Sequence, residues 1–352
     1  MRGLIGILTT RRARRRLRFA VALACWGYAV AMIALLLTLR IGGDAYWLPT
    51  VLLYGPRVFY IAPLALMAPA AWFGNRRCLL VLLIPAGLWA GPIMGLCLPW
   101  ARLTAPADGR SIRVMTYNLR GDGADQRAIG QLIRAYGIDV AVYQESGNVQ
   151  SFVPRGWHKE VRRSLTILSR WPIRDVRGRY CHVPYTRWPP VDCLAATLDT
   201  EHGPIDIVTV HFRTPRWGLE EVLDRSTVID PRRSNRLIQE IYYRDVQSRD
   251  AREWISRNCR YPTIVAGDFN LVPDGRIYRR RWSSLSNAFS LAGFGYGYTR
   301  WSHLPLDIHY GARIDHILCD EQFAVIHARL GPDLGSDHLP VIATLKKRDA
   351  SP

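Results

Sequence analysis

The stretch Gly335-Ser336-Asp337-His338-Leu339-Pro340 runs directly into Val341-Ile342-Ala343-Thr344-Leu345, a short apolar segment typical of a buried β-strand. Histidine titrates near neutral pH and a neighbouring carboxylate can fix its tautomer, so an Asp-His pair at a strand end can serve as an acid–base group. Most Ser-Asp-His triplets are ordinary polar loop residues. The interpretation here depends on the polar motifs that precede this one in the chain.

Five further polar motifs lie at or just after segments that the sequence predicts to be strands. They are Tyr117-Asn118-Leu119, Gln144-Glu145, Val210-His211-Phe212, Gly267-Asp268-Phe269-Asn270 and Arg313-Ile314-Asp315-His316. Strand ends on one edge of a sheet converge, so these side chains are expected to line one cleft. Their carboxylates, carboxamides and imidazoles suit a hard cation such as Mg²⁺, which activates water and neutralises charge on phosphate. Each motif alone fits a polar turn, but the ordered set favours a catalytic site.

The same region alternates short β-rich runs with helical patterns, which predicts one α/β domain over residues 111–346 and a tail over 347–352. Predicted strands cover 112–117, 140–143, 165–168, 194–198, 205–212, 263–266, 313–318 and 341–345, and predicted helices cover 125–136 and 234–256. The second helix has a predicted apolar stripe formed by Leu237, Ile238, Ile241, Tyr242, Trp254 and Ile255.

The chain carries a formal net charge of +18, and this charge is unevenly placed. Residues 1–100 contain eleven arginines, no lysine and a single acid, Asp44, whereas the remainder has only a moderate basic excess. Residues 1–18 form a basic N-terminus before an uncharged apolar run, Phe19–Leu39. That run has about the 20 residues that a membrane-spanning helix needs. A signal peptide is the alternative, but the run is long and no clear cleavage site follows it.

Two more apolar blocks, about 46–73 and 78–100, predict a membrane anchor of about three helices over residues 19–100. The arginines before the first block and Arg76-Arg77 between the second and third are expected on the cytoplasmic side. Three crossings then place the rest of the chain outside a bacterial inner (plasma) membrane, on its periplasmic or extracytoplasmic side. Arg57 interrupts the second block, and if this segment does not cross, the orientation of the domain reverses.

Residues 101–110 are predicted to be a linker, because Ala, Pro, Gly and Asp dominate them. Cys181 and Cys193 flank a Pro- and Trp-rich stretch and would be able to form a disulfide outside the cytoplasm. Two free thiols are the alternative.

With these motifs in view, the sequence from Arg113 to Leu345 resembles the endonuclease/exonuclease/phosphatase superfamily, which has the deoxyribonuclease/sphingomyelinase-like fold, and within it the bacterial membrane-anchored branch. Further motifs that carry the resemblance are Ile167-Leu168-Ser169-Arg170-Trp171-Pro172-Ile173, Tyr298-Thr299 and Ser336-Asp337-His338-Leu339-Pro340. The resemblance implies a four-layer α/β sandwich in which two mixed β-sheets are flanked by helices. It also implies Mg²⁺, or alternatively Mn²⁺, as the cofactor.

The resemblance further implies a role for each matching residue. The metal would be held by Glu145, helped by Asn118 and Asp337. The catalytic residues would be Asp268, which activates water, Asn270 and His211, which contact the phosphate, and His338 supported by Asp315. Residues expected to bind substrate are Arg170, Tyr298 and Arg313.

These features together predict a membrane-anchored, metal-dependent phosphoesterase that hydrolyses a phosphodiester. The partners would be the bilayer and either a phospholipid headgroup or a nucleic acid, and the sequence implies no protein partner. A nuclease acting on extracytoplasmic DNA or RNA is one alternative, since arginine pairs with backbone phosphate. A catalytically silent binding protein of the same fold is another. Tethering at a bilayer raises the local concentration of lipid and slightly favours a lipid-linked substrate.

Overall fold

A computed structural model describes residues 11–104, 111–121, 123–146, 153–180, 191–201, 203–224, 234–304 and 307–348. The chain divides into two compact units. The first comprises residues 1–43 and 48–96, and the second comprises residues 44–47 and 97–352. Cys181 lies outside the described residues, so its pairing with Cys193 stays a prediction.

The described part of the first unit is helical. Its helices are α1 (Arg11–Leu37), α2 (Trp47–Tyr54, whose first residue belongs to the second unit), α3 (Ala62–Gly74) and α4 (Cys78–Leu88). A π-helical turn extends α1 over Thr38–Gly42, a 3₁₀ turn over Arg57–Ile61 precedes α3, and a second π-helical turn follows α4 over Trp89–Ile93.

Two helical segments in the described residues are long and apolar enough to cross a membrane, Arg11–Ala45 and Arg57–Gly74. The third apolar segment, Cys78–Ile93, is shorter, so the structure does not clearly give the three spans that the sequence predicts. The second predicted span is divided at Pro56, which lacks the N–H that a continuous helix needs. Arg57 therefore opens the second candidate span, and its guanidinium donates to the carbonyl oxygens of Leu53 (2.8 Å) and Ile93 (2.7 Å).

The second unit contains two six-stranded sheets. One has the order β13-β14-β1-β2-β4-β3 and the other β5-β6-β7-β8-β12-β9. The strands of the first are β1 (Ser111–Gly121), β2 (Val140–Ser146), β3 (His158–Arg162), β4 (Leu165–Ser169), β13 (Phe323–Leu330) and β14 (Val341–Lys347). Those of the second are β5 (Ile173–Tyr180), β6 (Val191–Thr200), β7 (Gly203–His211), β8 (Thr263–Asp268), β9 (Ser286–Asn287) and β12 (Asp315–Cys319). Both sheets are mixed, because the β1–β2 and β7–β8 pairs are parallel and the other pairs are antiparallel.

Alternating side chains explain why the sheets stack. Val140 and Val142 of β2 lie in a core with Ile205 and Ile207 of the opposite sheet, whereas Tyr143 lies on the other face. That outer face packs against α6 (Gln126–Ala135). The remaining helices are α5 (Ala101–Thr104), α7 (Arg216–Leu223), α8 (Ser234–Asn258), α9 (Arg276–Trp282) and α10 (Ala288–Ala292). The predicted arrangement of two mixed sheets flanked by helices is confirmed.

Helix α8 begins where the sequence predicts it, and three residues of its predicted apolar stripe, Leu237, Ile241 and Ile255, are buried. Ile238 and Tyr242, both placed in the predicted apolar stripe, are 46% and 64% exposed. The buried face also includes the polar residues Glu240, Arg244 and Gln247. Polar residues are tolerated there because they hydrogen-bond: Glu240 accepts from the Gly218 backbone N–H (2.9 Å), and Gln247 accepts from that of Arg213 (3.0 Å).

A separate antiparallel hairpin, β10 (Arg300–Leu304) and β11 (Ile308–Ala312), is paired with neither six-stranded sheet. The predicted linker begins as the helical turn α5, which belongs to the second unit. Its Arg102 guanidinium donates to the Ala292 carbonyl oxygen at 3.1 Å.

Candidate active site

The sheet topology brings the predicted polar motifs to one edge. In the parallel β1–β2 pair Asn118 lies opposite Gln144, so Asn118 and Glu145 leave their strands at the same end. In the second sheet Asp268 is flanked in register by His211 on the parallel neighbour β7 and by Asp315 on the antiparallel neighbour β12. The prediction that these motifs meet at strand ends is therefore correct for Asn118, Glu145, His211, Asp268 and Asp315.

Asn118 links the two sheets across this edge. Its Nδ2 donates to Glu145 Oε1 at 3.0 Å and to Asp268 Oδ2 at 3.1 Å. Its Oδ1 accepts from the Arg120 backbone N–H at 3.0 Å, which fixes the orientation of the amide. The sequence predicts Asn118 as a metal ligand, but its amide nitrogen faces the carboxylates. In this structure Asn118 therefore holds the two carboxylates through its amide nitrogen, and its role as a metal ligand stays a prediction.

Asn270 also holds Asp268. The Asn270 backbone N–H donates to Asp268 Oδ1 (2.9 Å), and its Nδ2 donates to Asp268 Oδ2 (3.1 Å) and to the Phe212 carbonyl oxygen (2.9 Å). The Asp268 carboxylate therefore accepts from the side chains of both Asn118 and Asn270, and it is almost fully buried.

His338 and Asp315 form a buried pair. Nδ1 of His338 lies 2.8 Å from Oδ2 of Asp315. Burial opposes the charged imidazole, but the charge and hydrogen bond of Asp315, with a smaller contribution from Asp268, raise the pKa of His338 to about 9. His338 is thus protonated at neutral pH and can donate from Nε2, which lies 3.9 Å from Asp268 Oδ2.

Burial and then the charge of Asp315 raise the pKa of Asp268, and His338 and His211 partly offset this. His211 Nε2 lies between the carboxylates, 3.6 Å from Glu145 Oε1 and 3.7 Å from Asp268 Oδ2. A carboxyl group with a raised pKa is a better proton acceptor when ionised than an ordinary aspartate. Asp268 therefore has the surroundings of a general base.

Two of the site residues have an unusual backbone. Glu145 (φ 47°) and Asn270 (φ 50°) both adopt the left-handed conformation that non-glycine residues rarely occupy. Such conformations cost about 1–3 kcal/mol and occur preferentially at functional sites. At Glu145 the consequence is a half-exposed carboxylate, with 44% of the side chain accessible, although the rest of β2 is buried.

Four residues that the sequence predicts for the site lie away from the carboxylate cluster or contact other side chains. They are Arg170, Tyr298, Arg313 and Asp337. Arg170 pairs with Asp139 (2.7 Å), which lies directly before β2. Glu145 is at the opposite end of that strand, about 20 Å away at roughly 3.3 Å per residue. The structure therefore places Arg170 at the opposite end of β2 from Glu145, and its role in binding substrate stays a prediction.

The guanidinium of Arg313 is also turned inward. It is 8% exposed, donates to Cys97 Sγ at 3.1 Å and lies over the Phe289 ring. Tyr298 stacks on Tyr296, with ring centroids 5.4 Å apart, beside the β10–β11 hairpin. These contacts give Arg313 a packing role in this structure.

Asp337, predicted as a metal ligand, accepts from Arg300 Nη2 at 3.0 Å. Arg300 also forms an isolated β-bridge with His338, so it holds the backbone that carries this imidazole. Nothing in the sequence around Arg300 signals a contact with a residue so distant in the chain, so this arginine was not predicted as a site residue.

Two hydroxyl groups that the sequence analysis did not assign also fix the site. Ser336 Oγ donates to the Asn118 carbonyl oxygen (2.7 Å) and accepts from the His338 backbone N–H (3.2 Å). Thr299 Oγ1 accepts from the backbone N–H groups of Ile314 and Asp315, both at 3.2 Å. Both residues lie inside motifs quoted from the sequence, and that position was the available signal.

The residues present fit a divalent cation. Glu145, Asp268 and Asp315 place three carboxylates close together, and Oδ1 of Asp315 is buried with no hydrogen-bond partner among the described residues. Protonated His338 offsets only part of this negative charge. Oxygen-rich clusters of this type suit Mg²⁺ or Mn²⁺. Glu145 is the carboxylate best placed to hold the ion, because it is the most exposed of the three.

Comparison with known proteins gives the family. The Endonuclease/Exonuclease/phosphatase family model matches residues 115–338, which is more than half of the chain and spans every residue of the cluster. A search of curated proteins finds no significant match.

Among solved structures, the chain is similar to an endonuclease/exonuclease/phosphatase from Beutenbergia cavernae (18% identity, TM-score 0.47, 68% of this chain and 72% of that chain covered). It is also similar to the 3'-5' exonuclease NExo from Neisseria meningitidis (17% identity, TM-score 0.48, 67% of this chain and 100% of that chain covered). A third similar structure is the human Nocturnin catalytic domain with bound sulfate (19% identity, TM-score 0.46, 67% of this chain and 93% of that chain covered). On the strength of the family match over residues 115–338, the chain belongs to the endonuclease/exonuclease/phosphatase family, whose members generally act on phosphate ester bonds.

Proposed function

We propose that this protein is a membrane-anchored, divalent-metal-dependent phosphodiester hydrolase whose catalytic unit lies outside a bacterial plasma membrane. The observation that carries the proposal is the register of β7, β8 and β12, which sets Asp268 between His211 and Asp315. Glu145 and His338 approach the same carboxylate group from other strand ends. A catalytically silent relative would gain nothing from three clustered carboxylates, since burying charge is costly.

Each side chain has a distinct proposed task. Asp268 accepts the proton of the attacking water as the new P–O bond forms and the bond to the leaving oxygen breaks. Protonated His338, held by Asp315, donates to a phosphate oxygen and stabilises the charge that develops in the transition state. The leaving oxygen takes up a proton, which gives an alcohol and a phosphate monoester.

The metal, when bound, would neutralise negative charge on the phosphate. Glu145 would hold it, and Asn118 would keep Glu145 and Asp268 in place through its amide nitrogen. His211, within 4 Å of both carboxylates, would donate to the phosphate. Asn270 would act mainly through Asp268, because its side-chain N–H groups already bond Asp268 and Phe212.

Membrane anchoring is supported by the surface of the helical unit. Only 28% of the most apolar part of Arg11–Ala45 and 6% of that of Arg57–Gly74 are buried, and this exposure supports membrane spans. Large apolar side chains such as Phe19 (70%), Leu66 (80%) and Phe73 (86%) are exposed. Exposed apolar side chains of this size favour contact with lipid. The placement of the arginines supports a cytoplasmic N-terminus.

A phosphodiester in a lipid headgroup or a lipid-linked molecule is the favoured substrate, because the anchor would hold the site at the bilayer. Nucleic acid is the second candidate: one similar solved structure is NExo of Neisseria, described as a 3' phosphatase bound to a product DNA hairpin. The test is hydrolysis by the full-length protein in detergent with Mg²⁺, against mixed phospholipids, single- and double-stranded DNA, and RNA. Turnover of phospholipid alone supports the favoured substrate, turnover of nucleic acid alone supports the second, and no turnover of either class rejects the proposal.

A further inference from the structure

The end of the β10–β11 hairpin where Leu304 pairs with Ile308 carries three metal-ligating side chains that the catalytic cluster does not use. They are His303 on β10, His309 on β11 and Asp307 directly before β11. All three are exposed. One ligand atom from each residue lies within 4.8 Å of one from each of the other two.

The strand register holds the two imidazoles together. His303 and His309 are direct partners in the antiparallel ladder. Directly opposite residues point to the same face with Cβ atoms about 4.5–5.5 Å apart. The ring centroids are 4.3 Å apart. The pairing is therefore built into the backbone and does not depend on chance contact between surface side chains.

Asp307 completes the set from the turn. Its backbone adopts the left-handed conformation (φ 57°), and its Oδ1 lies 2.8 Å from Nε2 of His309. Ligand atoms at about 2.0–2.2 Å from a tetrahedral Zn²⁺ lie roughly 3.4 Å from one another. The Asp307–His309 separation is 2.8 Å and all three ligand atoms lie within 4.8 Å of one another, so small side-chain rotations would bring them into a coordination sphere.

We infer that His303, Asp307 and His309 form a second metal site that binds Zn²⁺ or a divalent transition metal of the same preference. Two neutral imidazoles and one carboxylate are ligands typical of zinc, whereas Mg²⁺ prefers oxygen alone. Three protein ligands leave a fourth position open to water or to an anionic oxygen. The site therefore differs in metal preference from the oxygen-rich catalytic cluster.

Such a site would stabilise a hairpin that borders the active site. An isolated two-stranded hairpin is only marginally stable in water. At its other end Arg300 donates to Asp337 and forms the bridge with His338. His303 follows Arg300 by three residues, about 10 Å along an extended strand. Bound metal would fix the end of the hairpin that carries the histidine pair and would leave the chemistry of the catalytic cluster unchanged.

The experiment is equilibrium dialysis of the full-length protein in detergent. The protein is stripped with chelator, returned to millimolar Mg²⁺ and then exposed to micromolar Zn²⁺. We expect His303→Ala and His309→Ala each to bind one Zn²⁺ fewer per chain than the unaltered protein, and Asp307→Asn to bind that ion more weakly. His158→Ala, which removes an exposed histidine from β3, is the matched control and should keep full stoichiometry.

Hydrogen exchange provides a second readout on the same samples. Zn²⁺ should slow exchange of the amides of Ser302 and Tyr310, which are neighbours of the histidine pair in the ladder, and should not do so in His303→Ala. Equal Zn²⁺ binding by the unaltered protein, His303→Ala and His309→Ala would overturn the inference. Loss of one Zn²⁺ in these variants, in a protein that hydrolyses no phosphodiester, would support the inference and reject the proposed function.

Discussion

Asp268 and Asp315 lie directly opposite each other across the antiparallel β8–β12 pair, and both are about 1% exposed. Like charges placed opposite each other in a sheet are destabilising, and burial increases the cost. The structure offsets this with donors, since Asp268 accepts from Asn118 and Asn270, and Asp315 pairs with His338. Perturbed, buried charged groups cluster at functional sites, which supports the proposed catalytic role.

Replacing Asp268 by Asn should abolish most turnover and leave the fold intact. The change removes the proposed proton acceptor, and lost acid–base groups lower rates by roughly two to four orders of magnitude. It also removes the repulsion with Asp315, so thermal stability should not fall. The measurements are kcat and the unfolding temperature of the same preparation. Undiminished kcat would rule out Asp268 as the base.

Replacing Asp315 by Asn should lower the pKa of His338 from its value of about 9. The pKa is raised above the ordinary 6.5 in the folded protein, so protonation of His338 stabilises the fold fully below about pH 6.5. That contribution, on the order of 3 kcal/mol, is lost as the pH rises through about 9.

Proton NMR of the metal-free protein can follow the imidazole directly, with His338→Gln to assign its resonance. In Asp315→Asn the titration should move to lower pH, and the fall in unfolding free energy between pH 6.5 and 9 should shrink. An unchanged titration would show that Asp315 does not control the charge of His338.

Replacing Arg170 by Ala should leave catalysis unchanged, although the sequence motif suggests a role in binding substrate. The side chain is 48% exposed and lies at the far end of β2 from Glu145. Its ion pair with Asp139 should contribute no more than about 1 kcal/mol. Equal KM and kcat for this variant and the unaltered protein are expected, and a large rise in KM would contradict the placement.

The catalytic unit should lie outside the cytoplasm. The arginines of residues 11–18 and Arg76-Arg77 are expected on the inner side, which leaves the C-terminus outside if three segments cross. A phosphatase reporter that is active only outside the cytoplasm, fused after Pro352, should be active. Activity of a cytoplasmic reporter at that position instead would reverse the topology.

The sequence predicted the central strands of both sheets and missed all four edge strands. Strands β1, β2, β7 and β8 are apolar runs buried on both faces, which form a strong local signal. The missed strands β3, β5, β9 and β13 stand at the ends of the two strand orders. β5, for example, reads Ile-Arg-Asp-Val-Arg-Gly-Arg-Tyr. The edge strands β3 and β5 carry charges that discourage pairing with other chains, and these charges mask the alternation of apolar and polar residues. β9 has only two residues, which is too short for a pattern.

The site was predictable in its members but less so in its contacts. The sequence signals Glu145, Asp268 and His338 because each lies in a polar motif next to an apolar run that predicts a strand. The orientation of the Asn118 amide depends on the Arg120 backbone, and the Asp337 contact depends on Arg300 from a distant hairpin. The amide orientation and the Asp337 contact both depend on tertiary packing, which the local sequence does not encode.

The central claim is that a metal held by Glu145 is required for phosphodiester hydrolysis, and the most direct test is the Mg²⁺ dependence of Glu145→Gln. The substitution keeps the shape of the side chain but removes the charge that would bind the ion. The rate of hydrolysis is measured against Mg²⁺ concentration for the unaltered protein and the variant, with Arg170→Ala as the control. We predict that the unaltered protein and the control share one Mg²⁺ curve and that Glu145→Gln needs far more Mg²⁺ and reaches a lower rate. Equal activity of Glu145→Gln at limiting Mg²⁺, or full activity of the unaltered protein in excess chelator, would contradict it.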